Sequence, residues 1–342
     1  MPDPLVSVVI AAHDRAEELA RTLQDLQRQS YGALEMIVID DASTTPLEAT
    51  VRSGWPEAVF WRNGSNLGAH VTRSLGMRRA KGQFILTLDD DSSPIESDAI
   101  EIAVRRFALE PELGVVAFYV QESRSVPPAP RPVIEERYVH EFVNCGQMMR
   151  REVASDVGDY RAFFQCYAEE PDYALRVLDH GWRIKLLPQI GVQHRKSPIG
   201  RRRGRIFGYN WRNSLWTIVL DYPFPRVVAS LCWKIAGGLL EMTRLREWRW
   251  GAWSLWSFVA ELPRVMRLRR PVSRATMTRL DLLRYRWVRR PEELEEARGP
   301  SLAERWRWYR TVWRSRQRFR SPADGNEGEL GTFIYYTPPP PR

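Results

Sequence analysis

Three short apolar runs, separated from one another by helical patterns, restrict the N-terminal half of this 342-residue chain to a layered α/β architecture. Val6 to Ala12 is continuously apolar apart from one serine and rich in valine, as expected of a strand buried on both faces of a parallel sheet. Leu19, Leu23 and Leu26 then recur at helical spacing behind Asp14 and Glu17, which are placed as a capping box, until Ser30-Tyr31-Gly32 ends the helix. Glu35 to Ile39 is the second run, and it ends on Asp40-Asp41, completing a βαβ unit.

Ala69 to Ala80 reads as a further helix, stopping before Lys81-Gly82, and Phe84 to Leu88 as a third strand that runs into Asp89-Asp90-Asp91. A helix over Asp98 to Ala108 and a strand over Val115 to Val120 continue the alternation, so a doubly wound sheet with helices on both faces is expected. Ser125 to Pro132, with four prolines, cannot sustain a ladder and reads as a loop. Glu170-Pro171 opens a helix, because proline is tolerated in a first turn. Gly181 closes it, and Trp182 to Leu187 returns as a strand.

Ligands of such sheets sit beyond the carboxyl ends of the strands, which is where Asp40-Asp41 and Asp89-Asp90-Asp91 fall. Three adjacent carboxylates repel one another, so the triplet implies a compensating cation, and hard oxygen donors select Mg2+ or Mn2+. A solvated acidic turn has the same sequence, and strand position alone does not separate the two.

Four segments in fixed order, VSVVIAAHDR, EMIVIDDAST, NLGAHVTRSLGMRRAKGQFILTLDDDSSP and CYAEEPDYALRVLDHGWRIKLLP, resemble family 2 of the glycosyltransferases over about residues 5 to 195. The resemblance implies a GT-A fold, which is a Rossmann-like, mostly parallel sheet. It also implies metal-dependent, inverting transfer from a nucleoside-diphosphate sugar, UDP or dTDP, to a saccharide or lipid-linked acceptor. On this resemblance Ala12, His13 and Arg15 line the donor nucleotide and Asp41 reaches its base, although Ala11, Ala12 and His13 stand where the family usually has proline, threonine and tyrosine. The triplet then corresponds to the DxD motif. Asp89 and Asp90 face ribose and donor sugar, Asp91 ligates the metal with Asp89 as a further ligand, and His194 completes the metal or diphosphate site.

The acceptor hydroxyl needs a base, since its own pKa is far too high for unaided attack. Glu170 has that position in the family pattern, with glutamate in place of the usual aspartate. Glu169 is the alternative, and helix capping would account for either. Asp172 is expected to serve the helix dipole or hold Arg176. Arg195, Lys196 and Arg201 to Arg205 read either as a lid over the diphosphate or as a solvated charge run. Asn210-Trp211-Arg212-Asn213 resembles a segment of bacterial members that build rhamnose- or galactofuranose-containing polysaccharides of the cell envelope. The pockets for donor and acceptor are expected near Asn144 to Met148.

Three parts are expected: a GT-A domain over 1–205, a basic, tryptophan-rich helical appendage over 206–320, and an unstructured tail over 321–342. Three unpaired-looking cysteines, no export signal, and an apolar stretch at Val227 to Leu240 broken by Lys234 point to a cytoplasmic chain without a spanning helix. The net charge of +9 is concentrated in the appendage, where eleven of the fourteen tryptophans lie between Trp211 and Trp313. Trp248, Trp250, Trp253, Trp256 and Phe258 among arginines suit contact with the inner face of the cell membrane, and equally an internal layer or a homodimer interface. A nucleic-acid partner is not expected, because the ligand edge presents acids that repel a polynucleotide. A non-catalytic nucleotide-sugar or nucleic-acid binding protein is the rival reading.

Overall fold

The computed structural model describes residues 2–123, 133–196, 202–295, 299–301, 303–307 and 310. The proline-rich loop expected at 125–132, residue 201 of the basic run, Trp313 and the tail expected from 321 lie outside the described residues.

One sheet holds β1 (Val6–Ala12), β2 (Leu34–Asp40), β3 (Val59–Arg62), β4 (Phe84–Asp89), β5 (Ser92–Pro94), β6 (Leu113–Glu122), β7 (Arg137–Tyr138), β8 (Gln147–Arg150) and β9 (Arg183–His194). Their order is β3-β2-β1-β4-β8-β6-β9-β5, with β7 added on β9. β3, β2, β1 and β4 run parallel, as the apolar runs implied. β8 is inserted antiparallel between β4 and β6. The strands β3, β5, β7 and β8 went unread in the sequence because each spans four residues or fewer, too short for periodicity to register.

Helices α1 (Ala16–Gln27), α2 (Glu48–Gly54), α3 (Ala69–Met77), α4 (Ala99–Leu109), α5 (Arg151–Val157) and α6 (Glu170–Asp179) cover the sheet. The two-residue period of β1 feeds two cores. Val6, Val8 and Ile10 meet Leu19, Leu23 and Leu26 of α1 and Phe107 of α4 on one face. Val9 shares the other face with Met77 of α3 and with Ala174, Val177 and Leu178 of α6.

The capping box expected at α1 does not form. Arg15 is the N-cap residue and no side chain caps the helix. Asp14 sits at φ 54°, and its carboxylate instead accepts the Thr44 N–H at 2.6 Å, tying the loop after β1 to the loop after β2.

The C-terminal part comprises α7 (Arg203–Asp221), α8 (Arg226–Leu245), α9 (Trp248–Ala260), α10 (Leu262–Leu268), α11 (Arg274–Tyr285) and α12 (Glu292–Glu295). The boundary expected after residue 205 falls inside α7. Its tryptophans divide in two: Trp211 and Trp216 are buried with Phe164, Leu215 and Phe258, while Trp233, Trp248 and Trp256 are exposed. Phe258, grouped in the sequence with the outward aromatics, faces inward because it lies on the α7 side of α9. Trp250 and Trp253 pack against Tyr209 of α7 with their rings tilted. Among the described residues no helix is long and apolar enough to cross a membrane.

Candidate active site

The sheet order reverses between β1 and β4, so the loops after these strands bound a crevice, as in other doubly wound sheets. Ala12 ends β1 and is buried opposite Asp40. The His13 N–H donates to Asp90 Oδ2 at 3.0 Å, and Arg15 Nη1 reaches both Asp90 Oδ1 at 2.7 Å and Asp91 Oδ2 at 3.0 Å. The loop after β1 and the acidic triplet are therefore one charged unit. Burial pushes the Asp90 carboxyl up to about 7 even with Arg15 beside it.

Asp41 organises the neighbouring turn. Its Oδ1 accepts from Asn63 Nδ2 at 2.8 Å and from the Leu67 N–H at 2.9 Å, and its Oδ2 accepts the Gly68 N–H at 2.8 Å. Gly68 has φ +89°, and a Cβ there would press on the Gln165 carbonyl, so glycine is required where this turn meets the loop before α6. Three of the roughly four acceptor positions on the Asp41 carboxylate are used, leaving space for one further donor.

β5 pairs antiparallel with β9, placing Ser92 opposite His194, and this register carries the end of β9 back to the triplet. His194 Nε2 lies 3.1 Å from Asp91 Oδ1, while its Nδ1 lies 3.7 Å from Cys145 Sγ. Donor atoms of Asp89, Cys145 and His194 fall within 4.8 Å of one another. Two carboxylates, an imidazole and a thiol thus converge on one small volume, and the donor set fits a divalent cation. Burial opposes the charged form of His194, yet Cys145 and Asp91 against its two ring nitrogens raise its pKa well above the usual histidine range. Burial also raises the Cys145 thiol.

Glu169 and Glu170 arrive on a strained loop. Gln165, Tyr167 and Ala168 all have positive φ, at 66°, 61° and 56°. Asn213 of α7 holds this loop, its Nδ2 donating to the carbonyls of Phe164 (3.0 Å), Cys166 (2.8 Å) and Tyr167 (2.6 Å), with Arg212 Nη2 donating to Phe164 as well (2.9 Å). Glu169 is buried, its Oε1 accepting from Asn144 Nδ2 at 3.2 Å and its Oε2 having no hydrogen-bond partner among the described residues. Glu170 begins α6. Burial, and then the charge of Glu169, raise its carboxyl to about 8, while Arg73 pulls the other way. Asp172 does hold Arg176, at 3.1 Å, and also pairs with Arg161 at 2.6 Å.

Arg195, read as part of a basic lid, is instead buried, reaching Glu18, Asp25, Ser93 and Thr22. It pins α1 to the end of β9 and is not available to cover a ligand.

Sequence reasoning missed Arg73, and it reached Asn144 and Cys145 only as part of the pocket segment expected at Asn144 to Met148, without a role for either. Arg73 is fully buried on α3 and donates to Asp89 Oδ1 at 2.5 Å, while its Nε and Nη1 have no partner among the described residues. An arginine within a pattern that otherwise reads as an ordinary amphipathic helix gives no signal of its own. Asn144 and Cys145 lie in the turn that leads into β8, one of the strands that the sequence did not reveal.

The architecture agrees with comparisons to known proteins. A Bacillus subtilis protein described as the uncharacterized glycosyltransferase YwdF is 26% identical over 215 residues, covering 59% of this chain and 78% of that protein. A Campylobacter jejuni protein named GalNAc(5)-diNAcBac-PP-undecaprenol beta-1,3-glucosyltransferase is 27% identical over 92 residues, covering 26% of this chain and 30% of that protein. Such shorter matches span less than a third of the relatives' own length. In structure, the mannosyltransferase PcManGT of Pyrobaculum calidifontis, solved with GDP-Man and Mn2+, superposes with a TM-score of 0.53 at 18% identity and covers 76% of each chain, a likeness of GT-A fold. The family whose model matches this chain, over residues 7–170, is the one described as Glycosyl transferase family 2.

Proposed function

We propose that the chain transfers a sugar from a nucleoside-diphosphate sugar to a saccharide or lipid-linked acceptor, with inversion at the anomeric carbon. The observation that carries this reading is the delivery of Glu169 and Glu170 by a strained and clamped loop, with Glu169 bonded to Asn144, the neighbour in the chain of Cys145 in the cation-binding cluster. A base and a cation-binding cluster on facing loops are what displacement of a diphosphate by a hydroxyl requires.

In this reading the loop after β1, with Ala12 and His13, flanks the nucleotide, and Asp41 offers its remaining acceptor position to a base N–H. Asp89 and Asp90 face the ribose and sugar. Asp91, Asp89 and His194, with Cys145 at hand, would hold Mg2+ or Mn2+. A divalent ion there would neutralise charge developing on the leaving diphosphate. Arg15 keeps Asp90 and Asp91 oriented, and Arg73 keeps Asp89 oriented. Glu170 takes the proton from the acceptor hydroxyl. Glu169, tied to Asn144, keeps the Glu170 carboxyl basic by its negative charge. The PcManGT complex with GDP-Man and Mn2+ and the undecaprenol-linked substrate named for the Campylobacter relative support the donor, metal and acceptor classes. A lipid-linked acceptor would bring the chain to the inner face of the cell membrane.

A panel of UDP-, dTDP- and GDP-sugars, assayed for hydrolysis and transfer with Mg2+, Mn2+ or chelator, tests the reading. Turnover of a UDP- or dTDP-sugar that stops with chelator is expected, and NMR of the product reports its anomeric configuration. Donor binding without turnover under any condition would reassign the chain as a nucleotide-sugar binding protein.

A further inference from the structure

Helix α9 is apolar on its outward side as well as its inward one. Gly251, Ser254, Ser257 and Phe258 face the protein, where Ser254 Oγ donates to the Gly208 carbonyl of α7 at 2.9 Å, while Trp248, Trp256 and Val259 point outward. A surface helix ordinarily buries its apolar stripe and exposes a polar face. Its neighbour α8 is apolar on both sides, with Val227 and Gly238 inward and Val228, Trp233 and Leu240 outward. Trp256 is 69% exposed and Leu240 72%. Among the described residues, ten of the seventeen exposed large hydrophobic side chains lie between Phe224 and Leu268. Scattered apolar exposure is normal, whereas this concentration on adjoining helices marks a contact surface.

Charge identifies what the surface meets. Residues 224–270 carry nine lysines and arginines against three glutamates and no aspartate, which makes up six of the nine net positive charges of the whole chain. Two copies docked through this face would bring like charges together, which disfavours a symmetric dimer. Indole rings and aliphatic groups rimmed by arginine match a bilayer surface that carries anionic headgroups.

We infer that the outward faces of α8, α9 and α10 dock on an anionic lipid bilayer, the tryptophans entering the boundary between headgroups and acyl chains and the arginines meeting lipid phosphates. α7 lies between this face and the loop carrying Glu169 and Glu170. Gly238 of α8 packs so closely on Trp211 of α7 that a Cβ would overlap the indole, and Asn213 of the same helix grips the loop. The docked face therefore sits one helix away from the candidate base. The inference deepens the sugar-transfer reading by naming the surface at which a lipid-linked acceptor is met, yet it stands or falls on a measurement that uses no sugar.

Flotation of the full chain with phosphatidylcholine vesicles, with and without added phosphatidylglycerol, tests it. Co-flotation that requires the anionic lipid and weakens with salt is expected. Trp233→Glu combined with Trp256→Glu lowers the vesicle-bound fraction about tenfold, with thermal melting and donor hydrolysis as wild type. Should that double variant misfold, Arg249→Glu with Arg267→Glu, both at exposed positions, removes only the dependence on anionic lipid. Absence of co-flotation with both vesicles overturns the inference. If sedimentation then shows a dimer that the tryptophan variants dissociate, the face joins two copies. Equal, salt-insensitive binding to both vesicles overturns the assignment to anionic headgroups.

Discussion

The side-chain amide of Asn213 lies 2.6 Å from the Tyr167 carbonyl, joining the middle of α7 to the backbone two residues before Glu169. The same nitrogen serves the Phe164 and Cys166 carbonyls, so one side chain holds three points of a loop whose φ angles are positive at Gln165, Tyr167 and Ala168. Non-glycine residues in that region cost about 1–3 kcal/mol each and persist only where the surroundings hold them.

Asn213→Ala releases the loop and is expected to lower kcat by about 10- to 100-fold, the scale of a displaced catalytic group, with donor affinity close to wild type. Steady-state kinetics beside calorimetry with the nucleotide would read this split. A donor affinity that falls as far as kcat would show that the loop serves donor binding instead.

Glu170→Gln is expected to reduce transfer by about 10² to 10⁴, with donor affinity nearly intact, and Glu169→Gln to be milder. The reversed order would make Glu169 the base. Because the Glu170 carboxyl is raised to about 8, its basic form is populated only as pH rises, so kcat/KM of the wild type climbs through that region.

The same carboxyl has a signature in stability. With a folded value near 8 against 4.5, it is protonated in the fold and ionised in the unfolded chain between those values, so stability declines as pH rises from 4.5 towards 8. Glu170→Gln cannot ionise and therefore melts higher than wild type at neutral pH. The gap widens from about pH 5 to about pH 8 and reaches about 2–8 °C. Calorimetric melting across this range that shows a constant difference would contradict the raised carboxyl.

Asp91→Asn removes one carboxylate from the cluster that includes His194 and is expected to abolish metal-dependent binding of UDP. Titration calorimetry with UDP and Mn2+ decides it, and wild-type affinity in the variant would remove Asp91 from the metal site.

Asp41→Asn keeps the shape but puts an NH2 where two carboxylate oxygens receive three donors, so one of Asn63, Leu67 and Gly68 loses its acceptor. Donor KM is expected to rise about tenfold with kcat little changed, the pattern of lost uniform binding. A fall in kcat alone would place Asp41 with the chemistry and away from the base.

The sequence made β1, β2 and β4 legible because strands buried on both faces leave unbroken apolar runs, and their acids fall at the strand ends. Pro171 made the start of α6 legible, while Glu169 and Glu170 were singled out there by the family resemblance. What stayed hidden depends on distance along the chain. His194 meets Asp91 only because β5, three residues long, pairs with β9, and Asn144 reaches Glu169 only because β8 inserts against the direction of its neighbours. The Asp14 capping box failed because a stronger partner, the Thr44 N–H, comes from another loop. The tryptophans could not be sorted by pattern, since α9 turns Trp248 and Trp256 outward but sets Trp250 and Trp253 against Tyr209 of α7.

Because α7 both grips the loop at 164–167 and carries α8 and α9, the C-terminal helices are not a detachable accessory. A chain cut back to the sheet and its six covering helices would keep the strand ends and the acidic triplet, yet Tyr167 and Ala168 would relax to ordinary backbone angles and withdraw both glutamates. Swapping these helices onto another sheet would transplant the proposed membrane face and at the same time strip its donor of the clamp on the loop at 164–167.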